Sequence, residues 1–310
     1  MLKCRDAKPT DRLHSLRAVP SAPRGLLPEG AARAREETAR RPIADRPDPG
    51  AEHLQADGTI RAFDGVSPPK NRRENDIEDS PRYGNIVDNF KSSGLDGAFF
   101  GSFTYTLAHA KLGVEVVARP VALDNTSTYY GMIFVRKDSG IRTARDMKGK
   151  RFAFVDKATT AGYLLPLEYF RKYGISDYKG YLKEAYFAGT HEDAILDVLN
   201  RKADIGAAKN TVFQRLAKDD PRIMKELVVL ERSPDVPENA LALRKDIDVS
   251  VRDRLKDALL KMHLDPDGKQ VLERFGALKF IETTNKDYGV VLEYAEEIHL
   301  NLPKYDYKND

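Results

Sequence analysis

The sequence predicts an α/β protein. Short apolar runs of strand length alternate with amphipathic segments of helix length from Tyr83 onward. Glycines and small hydroxyl residues punctuate the joints between them. The chain has 310 residues, 41% of them hydrophobic, enough for two α/β units with sizeable cores. Strands alternating with helices imply mainly parallel sheets with both faces covered.

The elements follow in order. Ile86, Val87 and Phe90 recur at helical spacing and stop at Ser92-Ser93-Gly94. Leu95 to Gly101 reads as a short buried strand, and Ser102 can cap a helix over about 103–112 that ends at Gly113. Strands are expected at Val114–Val121, Tyr130–Arg136 and Arg151–Val155, with an Asp138-Ser139-Gly140 turn between the last two. A helix over about 160–173, a strand at Glu184–Phe187 and a helix over 192–201 come next. After them come a strand at Ala203–Ala207 and a helix over 211–217. Leu227–Leu230 and Ala240–Arg244 read as late strands, and 250–262 and 266–275 as helices.

Residues 1–80 differ in kind. They hold 9 of the 17 prolines, one of the 27 aromatic residues (Phe63), 12 Arg and only 3 Lys. Val, Ile, Leu and Phe make up 12 of these 80 residues, too few to bury a core. The stretch reads as a poorly ordered Arg/Pro-rich leader, or as an out-of-frame reading of GC-rich DNA. Its start, Met-Leu-Lys-Cys-Arg-Asp, has no apolar run, so no signal peptide is visible.

Composition excludes several functions. No stretch approaches 18 consecutive apolar residues, so no transmembrane helix is expected. The single cysteine, Cys4, cannot build a disulfide framework or a cysteine-rich zinc site. A net charge of +3 without a dense basic stripe gives no nucleic-acid footprint. GxGxxG, GxxxxGK[ST], HExxH and GxSxG are all absent, so no cofactor and no metal are expected.

Strand-to-helix joints carry the candidate chemistry, because a helix N-terminus offers free N–H groups and a partial positive charge. In Val155 to Leu164 a strand ends and Thr159, Thr160 and Gly162 open a helix. Each threonine can offer O–H and N–H to an oxyanion, or serve as a cap. Gly162 lets a ligand or a neighbouring backbone approach closely. In Gly189 to Asp193, Thr190 and Asp193 fit a capping box that places His191 in the first helical turn, where it can donate to an anion. At Gly101-Ser102-Phe103-Thr104-Tyr105, Ser102 reads as a cap. Tyr83, Tyr129 and Tyr130 stand at loop positions.

From Tyr83 to about Ile298 the ordered set of these joints resembles the periplasmic substrate-binding proteins of phosphate/phosphite/phosphonate ABC transporters. The likeness is carried by Arg82–Val87, Leu95–Ser102, Tyr129-Tyr130-Gly131 with Val135–Gly140, Asp146–Lys150 continuing to Thr159–Pro166, and Gly189-Thr190-His191 with Ala203–Ala207. The resemblance implies a two-lobe type II periplasmic binding protein that closes on a ligand at a hinge cleft. Lobe 1 would be about 81–128 plus 234–310, and lobe 2 about 129–233.

The family grips a tetrahedral oxyanion with a hydroxyl-rich helix start, a histidine and two tyrosines. By position these are Thr159, Thr160, His191, Tyr83 and Tyr129, with Ala161 where the family has a further serine. The family's acidic position for a ligand amine falls on Asn239, with a second near Asn210-Thr211, which disfavours an amino-phosphonate. An ABC permease and its ATPase are the implied partners, the protein a periplasmic monomer. An oxyanion sensor with a signalling partner is the alternative; an enzyme using Thr160 and His191 lacks an orienting carboxylate. The family precedes the Tyr83 segment with an export signal and strand–helix–strand. Beyond Gly25–Glu29, residues up to Ser80 do not match, so lobe 1 is expected to be incomplete, with an unpaired sheet edge.

Overall fold

The computed structural model describes residues 59–60 and 85–309. Tyr83, Cys4 and nearly all of the atypical leader lie outside the described residues. The described chain builds two five-stranded sheets.

The first sheet has the order β1-β2-β11-β3-β12: β1 (Thr59–Ile60), β2 (Gly97–Phe100), β11 (Ala240–Leu243), β3 (Glu115–Ala122) and β12 (Ala277–Glu282). The second has the order β7-β6-β8-β5-β9: β7 (Glu184–Phe187), β6 (Arg151–Phe154), β8 (Ile205–Lys209), β5 (Gly131–Arg136) and β9 (Leu227–Arg232). Two short strands, β4 (Thr128–Tyr129) and β10 (Val236–Pro237), pair antiparallel where the chain passes from one sheet to the other and back.

The expectation of mainly parallel sheets holds only for β6, which pairs in parallel with β7 and β8. In the second sheet β5 runs antiparallel to both β8 and β9. In the first, β11 lies antiparallel between β2 and β3, and β12 is antiparallel to β3. The cause is the return crossover: β11 re-enters the first sheet from the opposite direction, which local alternation of strand and helix does not reveal. β1 meets the outer edge of β2 antiparallel at Thr59↔Ala98 and Ile60↔Gly97, and the described pairing on that edge stops there.

Helices cover both faces of each sheet. In the first, α1 (Asn85–Ser92), α2 (Ser102–Leu112) and α10 (Gly289–Glu297) enclose Phe90, Phe100, Phe103, Leu107 and Val291. On the opposite face α8 (Val249–Lys261) and α9 (Pro266–Phe275) cover Val117, Leu241, Leu243 and Phe280. In the second sheet, α5 (His191–Leu199) and α6 (Asn210–Asp219) pack Ile195, Val198 and Phe213 on Phe134. The helix entered at Thr160 and continuing as α3 (Leu165–Lys172) packs Tyr169 and Phe170 on Phe152 and Phe154, and two short helices, α4 (Tyr178–Tyr181) and α7 (Arg222–Glu226), add Tyr178 and Ile223 to the clusters on the two faces of this sheet.

Local chemistry fixes the ends. Gly113 and Gly276 take left-handed conformations, φ 72° and 78°, that end α2 and α9. Thr190 accepts from the Asp193 N–H to start α5. The strand expected at Ala203–Ala207 begins two residues later, at Ile205, because Asp204 is drawn off to Arg151. Among the described residues no helix is long and apolar enough to cross a membrane.

Candidate functional site

Two helix starts, one from each sheet, meet. α2 begins after Gly101, which has no side chain to cap it. The expected Ser102 cap is therefore corrected: Gly101 holds that position. The Ser102 hydroxyl instead lies 2.6 Å from Pro237 O and 3.0 Å from the Tyr129 hydroxyl. A carbonyl only accepts, so the serine proton goes to Pro237 and the tyrosine donates to the serine. The next backbone N–H, that of Phe103, donates to Thr160 Oγ1 at 3.0 Å. Thr104 Oγ1 donates to Ala158 O at 2.9 Å, a second bond between the same two segments.

On the second sheet's side the chain leaves β6 and turns into a helix at Thr160. The first turn, Thr160–Leu164, is wider than an α-turn and passes into α3. Glycine at 162 is a steric necessity: a Cβ there would stand 2.3 Å from Val155 Cβ and 2.8 Å from Thr159 Oγ1. The close neighbour is thus the chain's own strand end.

Thr159 departs from the expectation. Its hydroxyl donates to Asp156 O at 2.7 Å, closing the loop on itself because Asp156 O lies three residues back within its reach. Thr160 is the threonine that faces α2. Ala161 is buried beside Gly131, where an added Cβ would meet Ala161 Cα at 2.9 Å. Glycine at 131 is what lets β5 approach Ala161 this closely.

His191 opens α5 and is 5% exposed. The Lys209 backbone N–H donates to its Nδ1 at 3.3 Å, which leaves the ring proton on Nε2. Burial, aided by the Lys209 charge, pushes its pKa from 6.5 down to about 3, so the ring is neutral. An unfolded chain takes up this proton below about pH 6.5, whereas the folded state does not until about 3. Stability therefore falls as pH drops through that window, by about 1.4 kcal/mol per unit. Between pH 6.5 and 5 the wild type is expected to lose about 2 kcal/mol more than His191→Gln, read from denaturant midpoints. Parallel pH profiles of the two proteins would mean that His191 is protonated in the fold.

Lys209 joins these parts. Its Nζ stands 4.3 Å from the Tyr129 ring centre and 2.7 Å from Glu238 Oε2. The pair is sequestered, the side chains being 7% and 11% exposed. Glu238 Oε2 also accepts the Asn239 N–H at 3.1 Å, and Glu238 O accepts from the Tyr288 hydroxyl at 3.0 Å. Burial holds the Tyr129 pKa above its ordinary value, against the opposing Lys209 charge, so the hydroxyl stays protonated and able to donate. Asn239 is buried, its Oδ1 3.5 Å from where a Cβ on Gly101 would stand. Asn210, at the second expected acidic position, is spent on structure, its Oδ1 accepting from the Tyr130 N–H at 2.9 Å.

Of the residues expected at the site, Thr160, Tyr129, His191 and Asn239 thus join one buried network through Ser102, Phe103 and Lys209. Thr159 turns away, and Tyr83 lies outside the described residues.

A family model for the periplasmic substrate-binding protein of phosphonate ABC transporters matches residues 72–288, well over half of the chain. The chain belongs to this family. It is 30% identical over 206 residues to the phosphonates-binding periplasmic protein of Escherichia coli (strain K12), covering 65% of this chain and 60% of that protein. It therefore spans about three-fifths of that relative's length.

Two solved structures share the fold. One is the binding-protein component of an ABC phosphonate transporter from Pseudomonas aeruginosa (TM-score 0.62, 24% identity, 70% of this chain and 73% of that one). The other is a Prochlorococcus marinus protein in complex with methylphosphonate (TM-score 0.60, 22% identity, 70% and 84%). The fold is that of a type II periplasmic binding protein.

Sequence reasoning missed four members of this candidate site. Ser102 and Phe103 stand at a joint the sequence marks, but Ser102 reads there only as a cap and Phe103 carries no role. Lys209 and Glu238 are 29 positions apart and carry no motif.

Proposed function

We propose that this chain captures a phosphorus oxyanion (phosphate, phosphite or a phosphonate) between two lobes, and delivers it to an ABC permease and its ATPase. The single observation behind this reading is the Phe103 N–H donating to Thr160 Oγ1, which brings together the positive ends of two helices from different sheets. A tetrahedral anion entering there replaces these internal partners: the Phe103 N–H turns to it from Thr160 Oγ1 and the Tyr129 hydroxyl from Ser102, and the Thr160 hydroxyl and the His191 Nε2–H complete the donor set. The family relationship supports the same class of ligand.

In this reading the lobes divide at the β4–β10 pair, about 81–128 with 234–310 against 129–233, and closure assembles donors from both. Capture needs donors and closure and no nucleophile, so the reading is one of binding without turnover. It places the protein in the periplasm as a monomer.

A thermal-shift screen against phosphate, phosphite, methylphosphonate, 2-aminoethylphosphonate, sulfate and arsenate tests the proposal. At least one phosphorus oxyanion is expected to raise the melting point in a saturable way. A shift with sulfate alone, or with none of the six, contradicts it.

A further inference from the structure

The segment that follows α10 runs from the first sheet's helices to a loop of the second sheet. A turn at Leu302–Lys304 brings it over the end of α2, where Lys111 Nζ donates to Pro303 O at 3.0 Å. Tyr307 is buried, and its hydroxyl donates to Asp88 Oδ1 of α1. Lys111 Nζ stands 5.3 Å from the centre of the Tyr307 ring. These contacts root the segment on the first sheet.

Its other contacts fall on the loop that leaves β6 for Thr160. Asn309 Oδ1 accepts the Lys157 N–H at 3.0 Å, and Asn309 Nδ2 donates to Asp156 Oδ2 at 2.8 Å. The Tyr305 hydroxyl donates to Lys157 O at 3.0 Å, and its ring centre lies 5.9 Å from that of Phe103. Tyr305 packs on a hydrophobic cluster of each sheet.

The loop leans on these bonds. Asp156 and Lys157 are 2% and 8% exposed, so their polar groups need partners inside the protein. Asp156 sets the loop's shape: its Oδ1 accepts the Ala158 N–H at 2.7 Å, and its O accepts the Thr159 N–H and hydroxyl. Lys157 gives both its backbone N–H and its C=O to the segment. Ala158 O and Thr160 Oγ1 then bind α2 directly, through Thr104 and Phe103. Moving the loop away from α2 breaks these two bonds, and with the segment rooted on α1 and α2 it also breaks those of Tyr305 and Asn309.

We propose that Tyr305–Asn309 is a strap, a third link between the two sheets beside the two crossovers, which holds the Asp156–Thr160 loop against α2 and slows release of what the loop grips. Tyr305 and Asn309 are positioning residues that touch no ligand. The link to ligand release rests on the oxyanion reading above; the strap itself is judged without a ligand. A variant that loses the Asn309 bonds raises the population of the opened form, and apparent affinity falls by the same factor.

Amide hydrogen exchange of the full chain, with no ligand added, reads the strap. In Asn309→Ala the Lys157 amide loses its acceptor and exchanges faster. The Phe103 amide, which Asn309 does not touch, is also expected to exchange about tenfold faster, the scale of one lost hydrogen bond to a charged group. Amides within β5 are expected to keep their rates, which separates opening from general loss of stability. Asn309→Asp sets two buried carboxylates face to face and is expected to do more. The exchange Asp156→Asn/Asn309→Asp keeps one amide against one carboxylate and is expected to return both amides to within twofold of wild type.

Calorimetry and stopped-flow dissociation with phosphate and methylphosphonate are expected to follow the same order, with about tenfold weaker affinity and faster release in Asn309→Ala and recovery in the exchanged pair. A Phe103 amide unmoved while that of Lys157 quickens would overturn the proposal, because the segment would then travel with the loop. So would an exchanged pair no better than Asn309→Asp, or oxyanion affinity unchanged while the Phe103 amide quickens. Should none of the phosphorus oxyanions bind, the oxyanion reading falls and the amide rates alone decide on the strap.

Discussion

Lys209→Met is expected to destabilise the fold by about 3–5 kcal/mol, the cost of leaving one member of a buried ion pair without its partner. The wild-type contact is 2.7 Å between side chains 7% and 11% exposed. Methionine keeps the backbone N–H that donates to His191 and most of the side-chain volume over Tyr129, so the loss isolates the charge. Glu238 then retains the Asn239 N–H as its donor at Oε2, which is less than a buried carboxylate needs.

One further result separates this cause from a packing defect. The double variant Lys209→Met/Glu238→Gln is expected to recover most of the loss, because neither charge remains. Urea denaturation of both variants at neutral pH measures it. A deficit under 1 kcal/mol at neutral pH, or a double variant no better than the single, would show that the pair contributes little to the fold.

Thr160→Ala is expected to weaken binding of a phosphorus oxyanion by about 1–3 kcal/mol, or roughly five- to 150-fold, the scale of a lost hydrogen bond to a charged group. His191→Ala is expected to cost a similar amount, through loss of the Nε2–H donor. The stability consequences differ between the two. Thr160→Ala removes the acceptor for the Phe103 N–H, a bond between the two sheets' helices, whereas His191→Ala removes the acceptor for the Lys209 N–H within one lobe. Thr159→Ala serves as the contrast: its hydroxyl is committed to Asp156 O, so its effect on affinity should stay within about 0.5 kcal/mol. Calorimetry on the three variants with the best ligand from the oxyanion screen decides. Thr159→Ala losing as much affinity as Thr160→Ala would exchange the roles assigned to the two threonines.

Much of this fold is legible in the sequence, for local reasons. α2 is bounded by Gly101 and Gly113, α5 by Thr190, and β5 by a run of buried residues ending in a tight turn. Signals of this kind act within a few residues and survive into the structure.

What is not legible depends on returning chain. The antiparallel insertion of β11 between β2 and β3 follows from a crossover more than a hundred residues later. β12 and α10 carry no expectation from the sequence: β12 follows directly on the end of α9, and α10 opens on Gly289 without a side-chain cap.

The site divides the same way. Thr160 and His191 stand at helix starts that composition marks, so their candidacy is visible. That Thr159 turns back to Asp156 while Thr160 faces Phe103 is decided by the wide first turn at Thr160–Leu164, which spacing alone does not reveal. Lys209 ends β8 while Glu238 lies in the link between β10 and β11, so their pairing shows only once both are placed.

A crystal structure grown with saturating methylphosphonate tests the central claim most directly. The phosphonate oxygens are expected within hydrogen-bonding distance of Phe103 N, Thr160 Oγ1, Tyr129 Oη and His191 Nε2. A phosphonate bound away from both the α2 and Thr160 helix starts, or held by only one of them, would contradict the account.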